Sequence, residues 1–267
     1  MSSSRAHRRP MLTWIEDTSP MPPATQALGP DSDAPGLVAA GGRVTPQRLE
    51  EAYRLGIFPW YGPGQPVLWW SPDPRMVLPV AEFRLSHSLR KTLRRFLRTP
   101  GCELRFDSDF RSVIQACAHT PRAGQDGTWI VPSVMAAYAE WHEAGRVHSA
   151  ETWVDGELVG GLYFVAIGRM CFGESMFAHR TDASKIALAG LICLCREHGL
   201  PLIDCQQNTR HLASFGAREI SRADFEARLQ LLVPAADIRD WTYHPSLWRH
   251  LLETPENDSA DPARTDP

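Results

Sequence analysis

The sequence predicts an α+β fold, a mainly antiparallel sheet with helices packed on it, and three observations predict it. Apolar residues recur at helical spacing in separate stretches between residues 45 and 145. Period-2 runs joined by tight turns replace them up to residue 178. A segment apolar nearly all round follows over residues 181–199, with one further strand and one further helix behind it.

The elements follow in order. Residues 1–35, rich in Ser, Pro and Arg, and residues 251–267, closing in ETPENDSADPARTDP, show no apolar period and are expected as flexible tails. In VTPQRLEEAYRLG, Thr45 is the N-cap and Pro46 takes the first helical position. Leu49, Ala52 and Tyr53 share a face, and Gly56 stops the helix. The segment GIFPWYGPGQPVLWWSPDPR comes next. Pro donates nothing to a sheet ladder, so Phe58, Trp60, Tyr61, Trp69 and Trp70 are expected on irregular backbone or short strands. Such aromatics either glue a domain junction or form a stacking wall for a base or an aromatic amino acid.

LSHSLRKTLRRFLRTPG has Ser86 as cap and one apolar stripe of Leu89, Leu93, Phe96 and Leu97. Its opposite face is basic (Arg90, Lys91, Arg94, Arg95, Arg98), and no acid lies between Phe83 and Cys102. That face is either solvated surface or a contact for a nucleic-acid backbone. DSDFRSVIQACAH reads as a helix capped by Asp107 or Ser108. PSVMAAYAEWHEAG reads as another, from Ser133 to a stop at Gly145, and GTWIVP sets Trp129 on an extended segment between them.

The period then changes. SAETWVDGELVGGLYFVAI turns at Asp155-Gly156, the mark of a type I′ hairpin, and a second turn near Gly168-Arg169 completes a three-stranded meander. Gly160, Gly161 and Gly173 remove side chains where another backbone or a ligand comes close. TDASKIALAGLICLCREHG, capped by Thr181 or Asp182 and stopped at Gly199, is a buried helix. LIDCQQN is a strand, and SRADFEARL, capped by Ser221, is an amphipathic helix.

Composition excludes several classes. A chain of 267 residues with 43% apolar content and net charge −3 is globular and has no global pull toward nucleic acid or membrane. Its longest near-continuous apolar runs, 158–168 and 186–195, are about half of the ~20 residues a membrane span needs. MSSSRAHRRP lacks the apolar region of a secretory signal, so a cytoplasmic protein is expected. The cysteines lie mostly in apolar stretches and read as reduced. Cys193, Cys195, His198, Cys205 and His211 match no tetrahedral spacing, so no metal is expected. GESMF has Phe177 where a nucleophile elbow needs Gly, which argues against Ser175 as an esterase nucleophile.

Two features carry chemistry. If LIDCQQN is a regular strand, Asp204 and Gln206 point to one side and Ile203 and Cys205 to the other. The acid and amide either satisfy each other and nearby backbone or handle a proton and a substrate. Glu174 lies in an aromatic-rich strand, where an isolated carboxylate is costly unless it meets a cation, structural or brought by a substrate.

GIFPWY, LWWSPDPR, GTWI, HSAETW, GELVGGLY, GESMF, DASK and LIDCQ…T…HLASFGA together, in this order, resemble the leucyl/phenylalanyl-tRNA–protein transferases across residues 37 to about 230. That resemblance implies a small N-terminal domain (36–82) and a GNAT-like acyltransferase domain (83–250). It implies an enzyme that moves Leu or Phe, with Met a further candidate, from aminoacyl-tRNA to the α-amine of proteins starting with Arg or Lys, creating a degradation signal. It implies Asp204 and Gln206 as the catalytic pair and Glu174 as the acceptor's counter-charge. Candidates for the remaining roles are Met170, Phe172, Met176, Phe177 and Ile203 for the aminoacyl pocket and Trp60, Trp70 and Trp129 for an aromatic wall at the terminal adenosine. The basic helix face of Arg90, Lys91, Arg94, Arg95 and Arg98 would meet the tRNA backbone. Aminoacyl-tRNA is already an activated ester, so no enzyme nucleophile is needed, and a monomer without cofactor or membrane contact is expected. Phe164 and Phe215 depart from the family pattern, and Phe164 is expected to reshape a pocket.

Two rivals stand beside this reading. An acyl-CoA-dependent N-acetyltransferase would suit the same sheet, but the Gln/Arg-x-x-Gly-x-Gly/Ala run that cradles pyrophosphate is missing. A non-catalytic tRNA-binding adaptor would keep the basic helix yet have no use for Asp204, Gln206 and Glu174 in one cleft.

Overall fold

The computed structural model describes residues 12–120 and 128–253. In chain order the elements are β1 (Thr13–Ile15), β2 (Leu37–Gly41), α1 (Pro46–Arg54), β3 (Phe58–Pro59), β4 (Leu68–Trp70), β5 (Arg75–Pro79), α2 (His87–Phe96) and β6 (Cys102–Phe106). Then come α3 (Phe110–His119), α4 (Pro132–Glu143), β7 (Val147–Val154), β8 (Glu157–Ile167), β9 (Met170–Ala178) and α5 (Ala183–Glu197). The chain closes with β10 (Leu202–Gln206), α6 (Arg210–Ser214), β11 (Arg218–Ile220), α7 (Arg222–Leu232) and α8 (Arg249–Leu252).

A four-stranded sheet in the order β1-β2-β4-β3 and a seven-stranded sheet in the order β11-β5-β10-β9-β8-β7-β6 make this a mixed α/β structure. Within the larger sheet every neighbouring pair is antiparallel except β9 with β10. Alternation along the strands feeds two cores, one on each face. Tyr163, Val165 and Ile167 of β8 join a core with the small sheet, α1, α3, α4 and α7, whereas Leu162, Phe164 and Ala166 join one with α2, α5 and α8. α5 is buried on nearly all sides because it lies between the sheet and residues 245–252, and Gly190 lets Leu104 of β6 press against its backbone.

The local signals act as chemistry requires. Thr45, Ser86 and Ser221 accept hydrogen bonds from the first turns of α1, α2 and α7. Asp155 and Gly156 both have positive φ, 53° and 80°, as a type I′ turn demands. The cap of α3 is Asp109, not Asp107 or Ser108: its carboxylate accepts from the Ser112 N–H at 3.1 Å, while Asp107 bonds to His148 and Ser108 donates to Glu151, both side chains of β7.

Three expectations about segments need correction. From residue 12 the N-terminal stretch is folded, not a tail: β1 pairs in parallel with β2, and Ile15, Met21 and Ala24 are buried. β5, expected within the small domain, is a strand of the larger sheet between β11 and β10. The C-terminal stretch stays folded through α8, with Leu251 buried; residues 254–267 and 1–11 lie outside the described residues.

Candidate active site

The site forms where β9 and β10 part. Only Ile203↔Cys171 and Asp204↔Phe172 are paired between these strands, and beyond them opens a cavity of about 590 Å³. A β-bulge lies on each side of the opening. In β9, Tyr163 pairs with Ser175 and Phe164 with Gly173, leaving Glu174 as the extra residue. In β10, Asp204 pairs with Val77 and Gln206 with Met76, leaving Cys205 as the extra one. Bulges re-aim side chains, and these two bring Glu174 and Gln206 to the same cavity.

Gln206 Nε2 donates to Glu174 Oε1 at 3.2 Å. The Tyr53 hydroxyl donates to the same oxygen at 2.7 Å and lies 2.6 Å from the Tyr138 hydroxyl, which also reaches Glu174 Oε2 at 3.4 Å. Burial pushes the Glu174 carboxyl up to about 8, with the nearby Asp204 carboxylate adding to the rise and the bonds from Tyr53, Gln206 and Tyr138 opposing it. Burial, and after it Glu174, likewise pushes both phenols well above their ordinary range, so they stay protonated donors. Below about pH 8 the site therefore holds a neutral carboxyl group that a neighbouring cation would ionise.

Asp204 does not face the cavity. Its residue is 0% exposed, and Arg75 grips it with Nε at 2.8 Å and Nη2 at 2.6 Å. Arg75 itself is 1% exposed, donates to Gly56 O at 3.1 Å, and lies between the rings of Phe58 (4.8 Å) and Phe225 (4.5 Å). Asp204 Oδ1 also accepts the Gln206 backbone N–H at 2.9 Å, and Gln206 adopts φ +61°. The regular alternation that would put acid and amide side by side is broken by this turn. The acid points into the core under the small sheet and the amide into the cavity. Asp204 as a proton acceptor from substrate is thereby corrected.

The predicted aminoacyl pocket divides for the same reason. Met170, Phe172 and Phe177 are in the core shared with α1, α3 and α4, and Phe172 packs edge-on against Tyr53. Met176 lines the cavity because the β9 bulge flips the faces of the β9 residues after it, and Ile203 lines it from β10, ahead of that strand's bulge. Their neighbours in the cavity wall are Leu78, Leu162, Leu188 and Leu191, the last two from the helix that the sequence predicts to be buried. Of the aromatic wall, Trp60 and Trp129 line the cavity together with Phe58. Trp70 stands behind it, donating its Nε1–H to Trp60 O at 2.7 Å and packing edge-on against the Trp60 ring. Phe164 packs against Trp241, and Phe215 stacks on Phe83; neither lines this cavity, so Phe164 does not narrow it.

The five basic residues of the α2 region do share one surface. Arg90, Lys91, Arg94, Arg95 and Arg98, with His87 and Thr99, line a shallow groove of about 560 Å³. Arg90 is half-buried and donates to Leu251 O at 2.8 Å, while the other four are exposed. The N-terminal end of α5 adjoins α2 through Thr92 and Asp182, and Leu188 and Leu191 farther along α5 reach the cavity. A larger groove of about 830 Å³ follows edge strand β6 and holds the Asp107–His148 pair, but none of the predicted site residues lines it. Among the described residues no helix is long and apolar enough to cross a membrane.

Family models place this geometry. One described as leucyl/phenylalanyl-tRNA protein transferase matches residues 77–230, and one for the N-terminal domain of the same proteins matches residues 42–73. A relative named leucyl/phenylalanyl-tRNA–protein transferase from Methylibium petroleiphilum is 64% identical over 242 residues, covering 90% of this chain and 91% of the relative. Relatives of the same name come from Leptothrix cholodnii, 63% identical with 90% and 95% covered, and Cupriavidus taiwanensis, 57% identical with 92% and 98% covered. Among solved structures, the C-terminal domain of a putative lysylphosphatidylglycerol synthetase from Agrobacterium fabrum is 14% identical with a TM-score of 0.34, covering 72% of this chain and 65% of that one.

Proposed function

From the premise that this chain belongs to the leucyl/phenylalanyl-tRNA–protein transferase family, we propose that the cavity between β9 and β10 is where the amino acid passes from tRNA to a protein. The chain is an aminoacyltransferase that moves Leu or Phe from tRNA onto protein N-termini. The observation that carries the assignment is the meeting of Glu174 and Gln206, 3.2 Å apart, in a cavity lined by both aliphatic and aromatic side chains.

The donor side chain takes the aliphatic part, against Leu162, Met176, Leu188, Leu191 and Ile203. Trp60 and Trp129 flank the terminal adenosine. The ester is already activated, and an α-amine of pKa ~8 is partly neutral at physiological pH, so positioning supplies much of the rate. Gln206 spends its amide N–H on Glu174, which leaves its carbonyl oxygen to accept a hydrogen from the attacking amine. An amide is too weak a base to take that proton outright. The proton lost from the amine goes to solvent or to the departing ribose oxygen, which must gain one as the C–O bond breaks and the C–N bond forms.

Glu174 takes the guanidinium or ammonium of an acceptor that starts with Arg or Lys, which ionises it where it is otherwise neutral. The product carries a new N-terminal Leu or Phe, a degradation signal, and the use of tRNA puts the reaction in the cytoplasm. The meander, the buried α5 and the strand β10 after it support a GNAT-like reading of the larger sheet.

Incubation with Phe-tRNA or Leu-tRNA and peptides differing only at residue one tests this. Peptides starting with Arg or Lys should gain the mass of one residue, and those starting with Ala or Glu should not. Equal gain across the set would remove the acceptor role of Glu174. The α2 groove is read as the tRNA backbone contact. Reversing Arg94 and Arg95 to Glu is expected to weaken tRNA binding roughly tenfold or more at low salt and to flatten the salt slope. Filter binding over a salt series measures both, and an unchanged slope returns that face to plain surface.

A further inference from the structure

Arg75 lies outside the cavity, yet it touches two of the strands that frame it, β3 through Phe58 and β10 through Asp204. Its guanidinium holds Asp204 with two bonds of 2.8 and 2.6 Å, donates to the Gly56 carbonyl, and is sandwiched by Phe58 from the small N-terminal unit and Phe225 from α7. Asp204 in turn holds the Gln206 N–H at 2.9 Å, which fixes the positive-φ turn that sends the Gln206 amide toward Glu174. Phe58 also lines the cavity, so one planar cation sets both the aromatic wall and the amide opposite it. A charge alone would not need this arrangement. A fork matched to a carboxylate and a flat face stacked on rings are properties of Arg that Lys lacks.

We infer that Arg75 is a positioning residue for the transfer step: through Asp204 it fixes the turn at Gln206, and through Phe58 it fixes the wall against which the reacting ester is held. The inference rests on the assignment of Gln206 to the attacking amine. Misplacement of a reacting group by about 1 Å costs roughly 100-fold in rate. Arg75→Lys keeps the charge and loses the fork and the stacking. It should lower kcat roughly 30- to 100-fold, with KM for Phe-tRNA and for an Arg-starting peptide within about threefold of the parent.

A double-mutant cycle with Gln206→Ala separates positioning from general support. If Arg75 acts through Gln206, Arg75→Lys adds less than about threefold to the loss already caused by Gln206→Ala. Full multiplication of the two losses, or a parent-like kcat for Arg75→Lys, overturns the inference. Should Arg75→Lys fail to fold, the same cycle is run with the paired change Arg75→Gln and Asp204→Asn, which leaves no unpaired buried charge and is held to the same two outcomes. If Gln206→Ala itself turns over like the parent, the transfer assignment falls. A slow Gln206→Ala beside a fast Arg75→Lys refutes the Arg75 inference alone.

Discussion

Asp204→Ala is expected to destabilise the protein by about 3–5 kcal/mol, among the largest effects of any single change here, because it leaves the Arg75 cation buried and unpaired. The cost does not measure what the pair contributes to folding. Desolvating two charges offsets most of their attraction, so the pair is held by geometry: two parallel bonds, a carbonyl at Gly56 and two aromatic faces. Denaturant melts of the parent and variant measure the difference. A loss under about 1 kcal/mol would mean that Arg75 finds another partner or water, and that the buried pair is not the strut described here. The result also governs how an inactive Asp204 variant is read, since lost activity would then reflect lost order at Gln206 and not a missing proton acceptor.

The second large effect falls on Glu174. Burial raises its carboxyl to about 8, so the native state favours the neutral form. The sign follows from linkage. The stabilising contribution of neutral Glu174 is complete below the ordinary carboxylate range and fades as pH rises through about 8. Binding of a cationic acceptor runs the opposite way. Below about pH 8 it must expel the proton, so affinity for an Arg-starting peptide should rise by up to about tenfold per pH unit and level off above that point. Glu174→Gln should remove the slope and weaken that peptide roughly 10- to 100-fold at pH 8, while binding of tRNA is unchanged. Calorimetric titration without donor, repeated in buffers of different ionisation enthalpy, reads affinity and proton release together. A slope that survives in the glutamine variant would assign the titration to another group.

Much of the fold was legible because its helices and its meander carry redundant signals. α1 has a cap, a Pro at its start and a Gly stop, and the turn at Asp155-Gly156 has residues that tolerate positive φ. The strands that escaped notice are short and weakly patterned. RMVLP of β5 follows a Pro-rich stretch, and CELRF of β6 mixes charge and apolar residues on a sheet edge. β5 matters most, because it carries Arg75. An acid inside an apolar strand signals a nearby cation, but sequence spacing does not reach from position 204 to position 75.

The candidate site was legible in its membership more than in its roles. Glu174, Gln206, Met176, Ile203, Trp60 and Trp129 do meet in one cavity. Period 2 put Asp204 beside Gln206, and the β10 bulge between them separates the two; Phe177 lies past the β9 bulge and faces the core, while Phe172, ahead of it, packs in the core against Tyr53. Each bulge gives the chain one residue too many, so every assignment after it changes face. Tyr53 and Tyr138, read as helix stripes, meet at Glu174 because α1 and α4 cross the same face of the sheet. Leu188 and Leu191 were hidden in a helix whose burial is nearly uniform.

The central claim is that one cavity holds the donor's aminoacyl group beside Gln206 and Glu174 while Asp204 acts from behind. A crystal structure with 3′-phenylalanylamido-3′-deoxyadenosine, in which an amide replaces the reactive ester, tests it most directly. The account predicts the phenyl ring against Leu162, Leu188, Leu191 and Ile203, the carbonyl carbon within reach of an amine held by Gln206, and the Arg75–Asp204 pair intact. The analogue seated in the groove along β6, or in the cavity with its carbonyl turned away from Gln206, would contradict it.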